Sequence, residues 1–362
     1  VAEFSILDLG SPLDRQAWLR SWKSDPDREV FAHPEYSARF ANPQMKTLCA
    51  WFRDSGGEAL FPFTLRDLSL EPWGQGLTRC WDLTTPYGYG GPFRVGAPSP
   101  EGFWDGFSRW VKEQGVVCGF IRRSLFKERL LPLPEGERQL ALNVVRPLRT
   151  PLETMWMEYE HKVRKNVNKA RRNGLTCRPD PDWDFLPDFL EIYRFTMDRR
   201  NAAAFYLFDD AFFDGFKSNL PNNALLFHVH DANGKIVSTE LILISTHHIY
   251  SFLGGTLPEG FPVGANDLLK HTINEWGHDH GLEDFVIGGG YRPGDGIFLY
   301  KKAFAPDGVR PYLVGNLVWD PETYSSLVAR RRAWEWSQGR EWDPSPTFFP
   351  AFRSPAYLPD QA

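Results

Sequence analysis

The chain has 362 residues and a formal net charge of −5, and it is 42% hydrophobic and 24% charged. This is an ordinary globular composition, at a length where one core usually divides into two domains. The charge excludes a generic polyanion binder, so any nucleic-acid contact has to come from a local patch, and no apolar run reaches the roughly 20 residues that span a bilayer. Cys49, Cys80, Cys118 and Cys177 show no C-x-x-C spacing, which predicts no thiolate metal site and suits a reducing, cytoplasmic setting. The N-terminus has no basic region followed by an apolar core, so no secretory signal is read there.

In chain order, residues 14–24 carry Trp18 and Trp22 at i, i+4 and predict a short amphipathic helix, with a second helix over 33–41. Segments 47–54 and 58–68 flank Ser55-Gly56-Gly57, a hairpin signature. A strand begins at Cys80 and ends in the Tyr- and Gly-rich cluster before Phe93. Residues 101–115 predict a helix with Phe103, Phe107, Trp110 and Val111 on one stripe, and 116–126 and 141–148 predict strands, the latter closing the first half.

The second half starts near Pro151. Residues 154–175 predict one helix, with Gly174 at the position after its C-cap. Helices follow over 184–202 and 209–220. Strands 225–231 and 235–245 turn at Ala232-Asn233-Gly234. A strand over 247–255, a helix over 266–281 and a strand over 284–290 complete the unit. Each half thus runs helices, hairpin strands, strand ending in Gly-Gly, helix, strand, a mixed α/β layer unit built twice. The expected domains are 1–150 and 151–318, followed over 319–362 by a Trp-rich helix and a proline-rich tail that is either a strap across the body or disordered.

The chemistry is expected in FVIGGGYRPGDGIFLYKKAF, residues 285–304. Gly288, Gly289 and Gly290 after a buried strand remove every Cβ, so a ligand or another backbone can approach closely, and bared N–H groups can meet a carbonyl oxygen or a phosphate. Lys301 could add a cation at the same spot. The alternative is a glycine-rich turn with surface lysines. Tyr291, directly after the glycines, is counted with them as a substrate contact. The basic run 161–172, with Arg164, Lys165, Lys169 and Arg172, contains no acidic residue and presents cations either to phosphates or simply to water. Arg199, Asn201 and Tyr206 form either a substrate wall or a helix end packed into a seam. Tyr87 and Tyr89, at i, i+2 on a glycine-rich turn, either hydrogen-bond a ligand or close the first domain. Glu240, inside an apolar strand, is either a general base or salt-bridged, with Asp267 as a second base candidate. His228 and His230 share a strand face, but no third ligand has suitable spacing, so no metal is predicted. There is no P-loop, no dinucleotide-binding glycine motif and no nucleophile elbow.

TPYGYGGP (85–92), KVRKNVNKARRNGL (162–175), TMDRRNAAAFYLF (196–208), DFVIGGG (284–290) and YKKAF (300–304) together resemble the Fem-type (FemABX-like) aminoacyltransferases, over most of residues 30–318. The resemblance implies two tandem GNAT-like domains, each a mixed twisted sheet flanked by helices, with the active site in the second. It implies transfer of an activated acyl group, often an amino acid esterified to tRNA, onto an amine of a small molecule or precursor peptide. The family's aromatic-Lys-x-x-Phe arrangement is matched by Tyr300, Lys301 and Phe304, which makes Lys301 the cation that stabilises the tetrahedral oxyanion, with Phe304 beside the substrate; Lys302 does not hold the matching position. No bound cofactor is implied. The donor is aminoacyl-tRNA or, alternatively, acyl-CoA or an acyl carrier protein. Where GNAT acetyltransferases cradle the CoA pyrophosphate with an Arg/Gln-x-x-Gly-x-Gly/Ala turn, this chain has Phe261 in place of the Arg or Gln, followed by Gly264-Ala265, a departure that speaks against CoA. A further alternative is a non-catalytic binding protein with a degenerate site.

Overall fold

The computed structural model describes residues 2–292 and 294–356. The chain begins with β1 (Glu3–Asp8), α1 (Pro12–Ser24) and α2 (Pro34–Arg39). The hairpin β2 (Met45–Asp54) and β3 (Gly57–Asp67) follows, then β4 (Trp81–Thr84), β5 (Phe93–Gly96), α3 (Pro100–Gln114) and β6 (Val116–Arg122). Ser99 caps α3 by accepting from the Gly102 N–H, and Gly115 ends the helix in the left-handed region at φ +74°. Next come β7 (Arg138–Pro147), α4 (Leu152–Glu158), α5 (His161–Arg172), β8 (Thr176–Asp180), α6 (Leu186–Arg199) and α7 (Asp210–Asn219). The rest is β9 (Ala224–His230), β10 (Ile236–Ile244), β11 (His248–Thr256), α8 (Gly260–Val263), α9 (Ala265–Asp279), β12 (Asp284–Gly289), α10 (Gly296–Lys302), β13 (Val309–Val318) and α11 (Pro321–Ser337). Among the described residues no helix is long and apolar enough to cross a membrane.

Two compact units result. One comprises residues up to 25, 31–140 and those from 312 onward; the other comprises 26–30 and 141–311. In the first unit the strand order is β1-β2-β3-β4-β6-β13, with β5 also on β3. In the second it is β7-β12-β11-β10-β9-β8. Each unit has one parallel pair, β4 with β6 and β11 with β12, because a helix, α3 or α9, carries the chain back between those strands. The expected mixed α/β fold, with the same order of elements twice, is therefore present. The core of the first unit gathers Phe52, Phe61, Phe63, Phe103 and Phe107. That of the second gathers Val163 and Val167 of α5, Leu268 and Ile273 of α9, Phe285 and Ile287 of β12, and Phe304.

Three expectations are corrected. First, the boundary falls at 140 rather than 150, and the segment 141–148 does not close the first half: β7 pairs antiparallel with β12, from Asn143 against Gly289 to Pro147 against Asp284. The sixth strand of the first unit is instead β13, paired with β6 from Val314 against Arg122 to Val318 against Cys118. Second, the stretch from 319 onward is not set apart from the first unit; of the two forms expected for the tail, its described residues take that of a strap. Trp342 and Phe352 are buried in the first unit, and Arg353 binds Asp82 with Nε at 2.6 Å. Third, the single helix expected over 154–175 is broken at Tyr159, whose ψ of 144° is extended. The break buries the Tyr159 ring against Phe304 at 5.5 Å and lets the Glu160 N–H donate to the Ala303 carbonyl at 2.9 Å. The end of α5 is as expected: the Gly174 N–H donates to the Arg171 carbonyl and the Leu175 N–H to the Ala170 carbonyl, with Gly174 at φ +76°.

Phe304 is fully buried between Tyr159 and Tyr300, so Phe304→Ala is expected to lower unfolding free energy by about 3–5 kcal/mol. Urea denaturation with an unchanged m-value checks this; a loss below about 1 kcal/mol would remove Phe304 from the core.

Candidate active site

The site is set by how β12 ends. Its pairing with β11 ends at Val286, Gly288 and Gly289 stay paired with β7 alone, and after Gly290 the next helix is started by Asp295. Asp295 accepts from the N–H groups of Tyr291 at 2.7 Å, Arg292 at 2.9 Å and Phe298 at 2.8 Å, and these bonds hold its carboxyl below the usual range. A Cβ on Gly290 would lie 2.3 Å from Asp295 Oδ1, so the loop closes only over glycine. The short α10 that follows directs Phe298 into the core and puts Tyr300 and Lys301 on a cavity wall. Lys301 Nζ donates to the Gly289 carbonyl at 2.7 Å. Gly288 has φ +92°, and a Cβ there would approach Lys301 Nζ to 3.2 Å; the glycine makes room for the ammonium.

The cavity has a volume of about 730 Å³ and lies wholly within the second unit, among β10, β11, α6, α9 and α10. That is within the range of small-molecule sites. Strand β11 is pressed from both sides along one wall: a Cβ on Gly255 would stand 2.3 Å from Thr196 Oγ1 of α6, and one on Gly254 would stand 2.5 Å from the Thr239 carbonyl oxygen of β10.

Burial and the neighbouring Lys270 ammonium pull Lys301 down to about 8, partly opposed by Glu240 and Asp295. Lys270 is itself buried, donates to Glu240 and donates to Ser251 Oγ at 2.7 Å. Desolvation lowers Lys270, and Glu240 works against that shift. Asp267, in the first turn of α9, is pushed up to about 6 by burial, against hydrogen bonds from Asn166 and its own backbone and the pull of Lys162. Tyr300 donates to the Asn266 carbonyl at 3.0 Å, and burial raises its phenol well above the ordinary value. Arg199 lies over the Phe261 ring, 4.9 Å from its centroid, and both line the cavity. The cation absent from the turn at Phe261 is thus present in space, supplied by α6.

Of the residues expected from sequence, Lys301, Glu240 and Arg199 meet in this cavity, as does Asp267. Gly288 and Gly289 reach it through Lys301, and Gly290 through Asp295. The others are placed elsewhere. Tyr87 and Tyr89 belong to the first unit, where Tyr36 donates to the Tyr87 carbonyl at 2.6 Å and the Tyr89 ring packs on Phe31 and Tyr312. Tyr206 accepts at its carbonyl from the Tyr193 hydroxyl at 2.6 Å, Asn201 sits in a left-handed turn at φ +47°, and Tyr291 is 78% exposed; none of the three lines the cavity. Phe304 is core. Arg164 donates to the carbonyls of Met157 and Tyr159, so it caps α4 instead of facing a ligand. Lys165, Lys169 and Arg172 are exposed on one side of α5 and have no ion-pair partner among the described residues. His228 is held between Asp180, at 3.3 Å, and Thr239 Oγ1, at 2.8 Å, and burial lowers it to about 4.

Lys270 is the charged cavity-lining residue missed from the sequence. A signal existed: it follows Leu268 and Leu269 and precedes Ile273 on the buried side of α9, where a lysine needs a buried carboxylate, and Glu240 needs a cation.

Residues 159–302 match the family described as the acetyltransferase (GNAT) domain. Among solved structures, FemX superposes with a TM-score of 0.66 over 86% of this chain and 98% of its own, at 12% identity. L-PGS from Bacillus licheniformis gives 0.55 over 88% and 96%, at 15% identity. The C-terminal domain of a putative lysylphosphatidylglycerol synthetase from Agrobacterium fabrum gives 0.53 over 87% and 95%, also at 15%. No curated protein sequence matches the chain. At these identities the structural likeness is one of fold. The chain thus carries a match to a GNAT domain over residues 159–302 and shares its fold with FemX and the two synthetase structures. The matched segment falls within the second unit, which also holds the cavity.

Glu240→Gln or Lys270→Met alone leaves one buried charge unpaired and is expected to destabilise by about 3–5 kcal/mol. The double variant Glu240→Leu/Lys270→Met is expected to recover most of that loss. Additive losses in chemical denaturation would show that the two groups do not act as a pair.

Proposed function

We propose that the protein transfers an aminoacyl group from tRNA to the amine of a small molecule or precursor peptide, forming an amide. The observation that carries this reading is the Lys301 ammonium, held on the Gly289 carbonyl at the wall of the cavity. The amine nitrogen attacks the ester carbonyl carbon, and the carbonyl electron pair moves onto oxygen as a tetrahedral oxyanion. Lys301 stabilises that charge. The C–O bond to the tRNA ribose then breaks, the ribose oxygen takes up a proton, and the nitrogen gives one up. Of the two carboxylates, Asp267 is the better base: Glu240 is tied to the Lys270 ammonium, whereas Asp267, at about 6, is close to the operating pH. Positioning and charge stabilisation suffice for this reaction.

The donor reading is supported by the Fem-type fold and by α5. Lys162, Lys165, Lys169 and Arg172 follow one another at spacings of 3 and 4, so they share a helix face. The helix passes beside the cavity, since its Asn166 side chain hydrogen-bonds the cavity-lining Asp267. The donor reading is in keeping with the name of one structural neighbour, the C-terminal domain of a putative lysylphosphatidylglycerol synthetase. A second reading, an acyl-thioester donor, draws on the match to the acetyltransferase domain and on Arg199 over Phe261, where it could meet a phosphate.

Lys301→Ala is expected to lower kcat about 10²–10³-fold, and full turnover would end its assignment. The pH profile of kcat/KM is expected to rise through about 6 as Asp267 ionises and to fall above about 8 as Lys301 loses its proton. A rise through 8 would instead make Lys301 a base. Turnover with labelled amino acids, tRNA, synthetases and ATP, set against a panel of acyl thioesters, separates the donors: the tRNA reading expects RNase to abolish activity. It also expects the triple variant Lys165→Gln/Lys169→Gln/Arg172→Gln to flatten the salt dependence of binding.

A further inference from the structure

A second cavity, of about 490 Å³, lies in the first unit. Its floor is the sheet face away from α3. Leu65, Leu83 and Ile121 point to the α3 side and enter the core, so their neighbours Arg66, Thr84, Phe120 and Arg122 occupy the opposite face. The tail supplies the other wall with Phe348, Phe349 and Arg353, and Arg138 at the start of β7 completes it. Neither the matched domain nor the Fem-type resemblance covers this tail.

Four guanidinium groups line this space. Two are neutralised from within: buried Asp82 accepts from Arg66 Nε at 3.1 Å and from Arg353 Nε at 2.6 Å, and Glu71 accepts from Arg353 at 2.5 Å. The other two have no carboxylate partner among the described residues. Arg122 donates only to neutral oxygens, Thr84 Oγ1 at 3.2 Å and the Thr85 carbonyl at 2.8 Å, and lies over the Phe120 ring at 5.0 Å. Arg138 makes one long bond, 3.3 Å, to the Thr347 carbonyl. Four cations against two carboxylates leave a surplus of two positive charges in a partly enclosed space, where they repel one another unless an anion enters. Repulsion from Arg353 adds to burial in lowering Arg66.

We infer that this cavity binds a phosphorylated small molecule, with Arg122 and Arg138 on the phosphate and Phe120 and Phe348 against the organic part. A phosphate monoester carries about two negative charges near neutral pH, which matches the surplus. The guanidinium fork fits phosphate oxygens. The volume exceeds what a lone phosphate fills and falls in the range of organic-ligand sites. Phe348 is 42% exposed, an aromatic face open to a ring.

Isothermal titration of the full chain with phenyl phosphate, inorganic phosphate and benzoate tests this. Saturable binding is expected, tightest for phenyl phosphate and weakest for benzoate. Arg122→Gln and Arg138→Gln are each expected to weaken phenyl phosphate about tenfold or more, and Phe348→Ala to weaken phenyl phosphate but not inorganic phosphate. Arg138 makes so little of the fold that its variant is expected to keep the wild-type thermal transition, so its binding loss is readable even if Arg122→Gln unfolds. Lys301→Ala is expected to leave all three titrations unchanged, which separates this site from the acyl-transfer cavity. Absence of saturable binding, equal affinity for benzoate, or undiminished binding in Arg138→Gln overturns the proposal.

Discussion

The contact between Lys301 Nζ and the Gly289 carbonyl depends on a backbone that only glycine can supply. An ammonium is costly to bury unless its donors are met, and here a carbonyl bared at the end of β12 meets one of them. That end exists because Gly288 takes up φ +92°, Gly290 clears Asp295, and Asp295 gathers three backbone N–H groups into the start of α10. The strand, the loop and the short helix form one device. Its product is a cation whose position is fixed before any substrate arrives, which is the condition under which electrostatic stabilisation is most effective.

Around that cation the second unit arranges charge of both signs. Lys270 is immobilised between Glu240 and Ser251, so its field on Lys301 is constant and contributes to the descent to about 8. Asp267 is moved the other way by burial. The environments thus push an acid and a base toward neutrality from opposite sides, the pattern expected where proton transfer and charge stabilisation are both required. The first unit repeats the topology without repeating this site. Its Tyr87 and Tyr89 are absorbed by packing against Phe31, Tyr36 and Tyr312, and its charged cavity is built on the tail, which the second unit has no counterpart for.

Much of the fold was legible because periodicity and turn chemistry are local. The hairpins, the two crossover helices and the glycine cap of α5 follow from residue spacing alone. The break at Tyr159 was not legible. Residues 154–175 have unbroken helical patterning, and what interrupts it is the burial of one ring against Phe304 and one hydrogen bond to Ala303. Arg164 misled for a related reason: in sequence it is one of six cations, and in space it serves carbonyls freed by that same break. Phe304 follows the family's spacing, but spacing does not say whether a ring faces substrate or core.

By itself the sequence determined the doubled α/β pattern, the glycine loop with Lys301 after it, the isolated carboxylate at 240 and the basic face of α5, since each is written in neighbouring residues. Only the tertiary structure decided that the strand at 141–147 serves the second unit while β13 serves the first, and that the tail lies on the sheet. It alone paired Glu240 with Lys270 and brought Arg199 over Phe261. Strand partners and ion-pair partners are chosen among residues far apart in the chain. That choice depends on which arrangement buries apolar surface while leaving no charge alone, a property of the whole fold that no local pattern encodes.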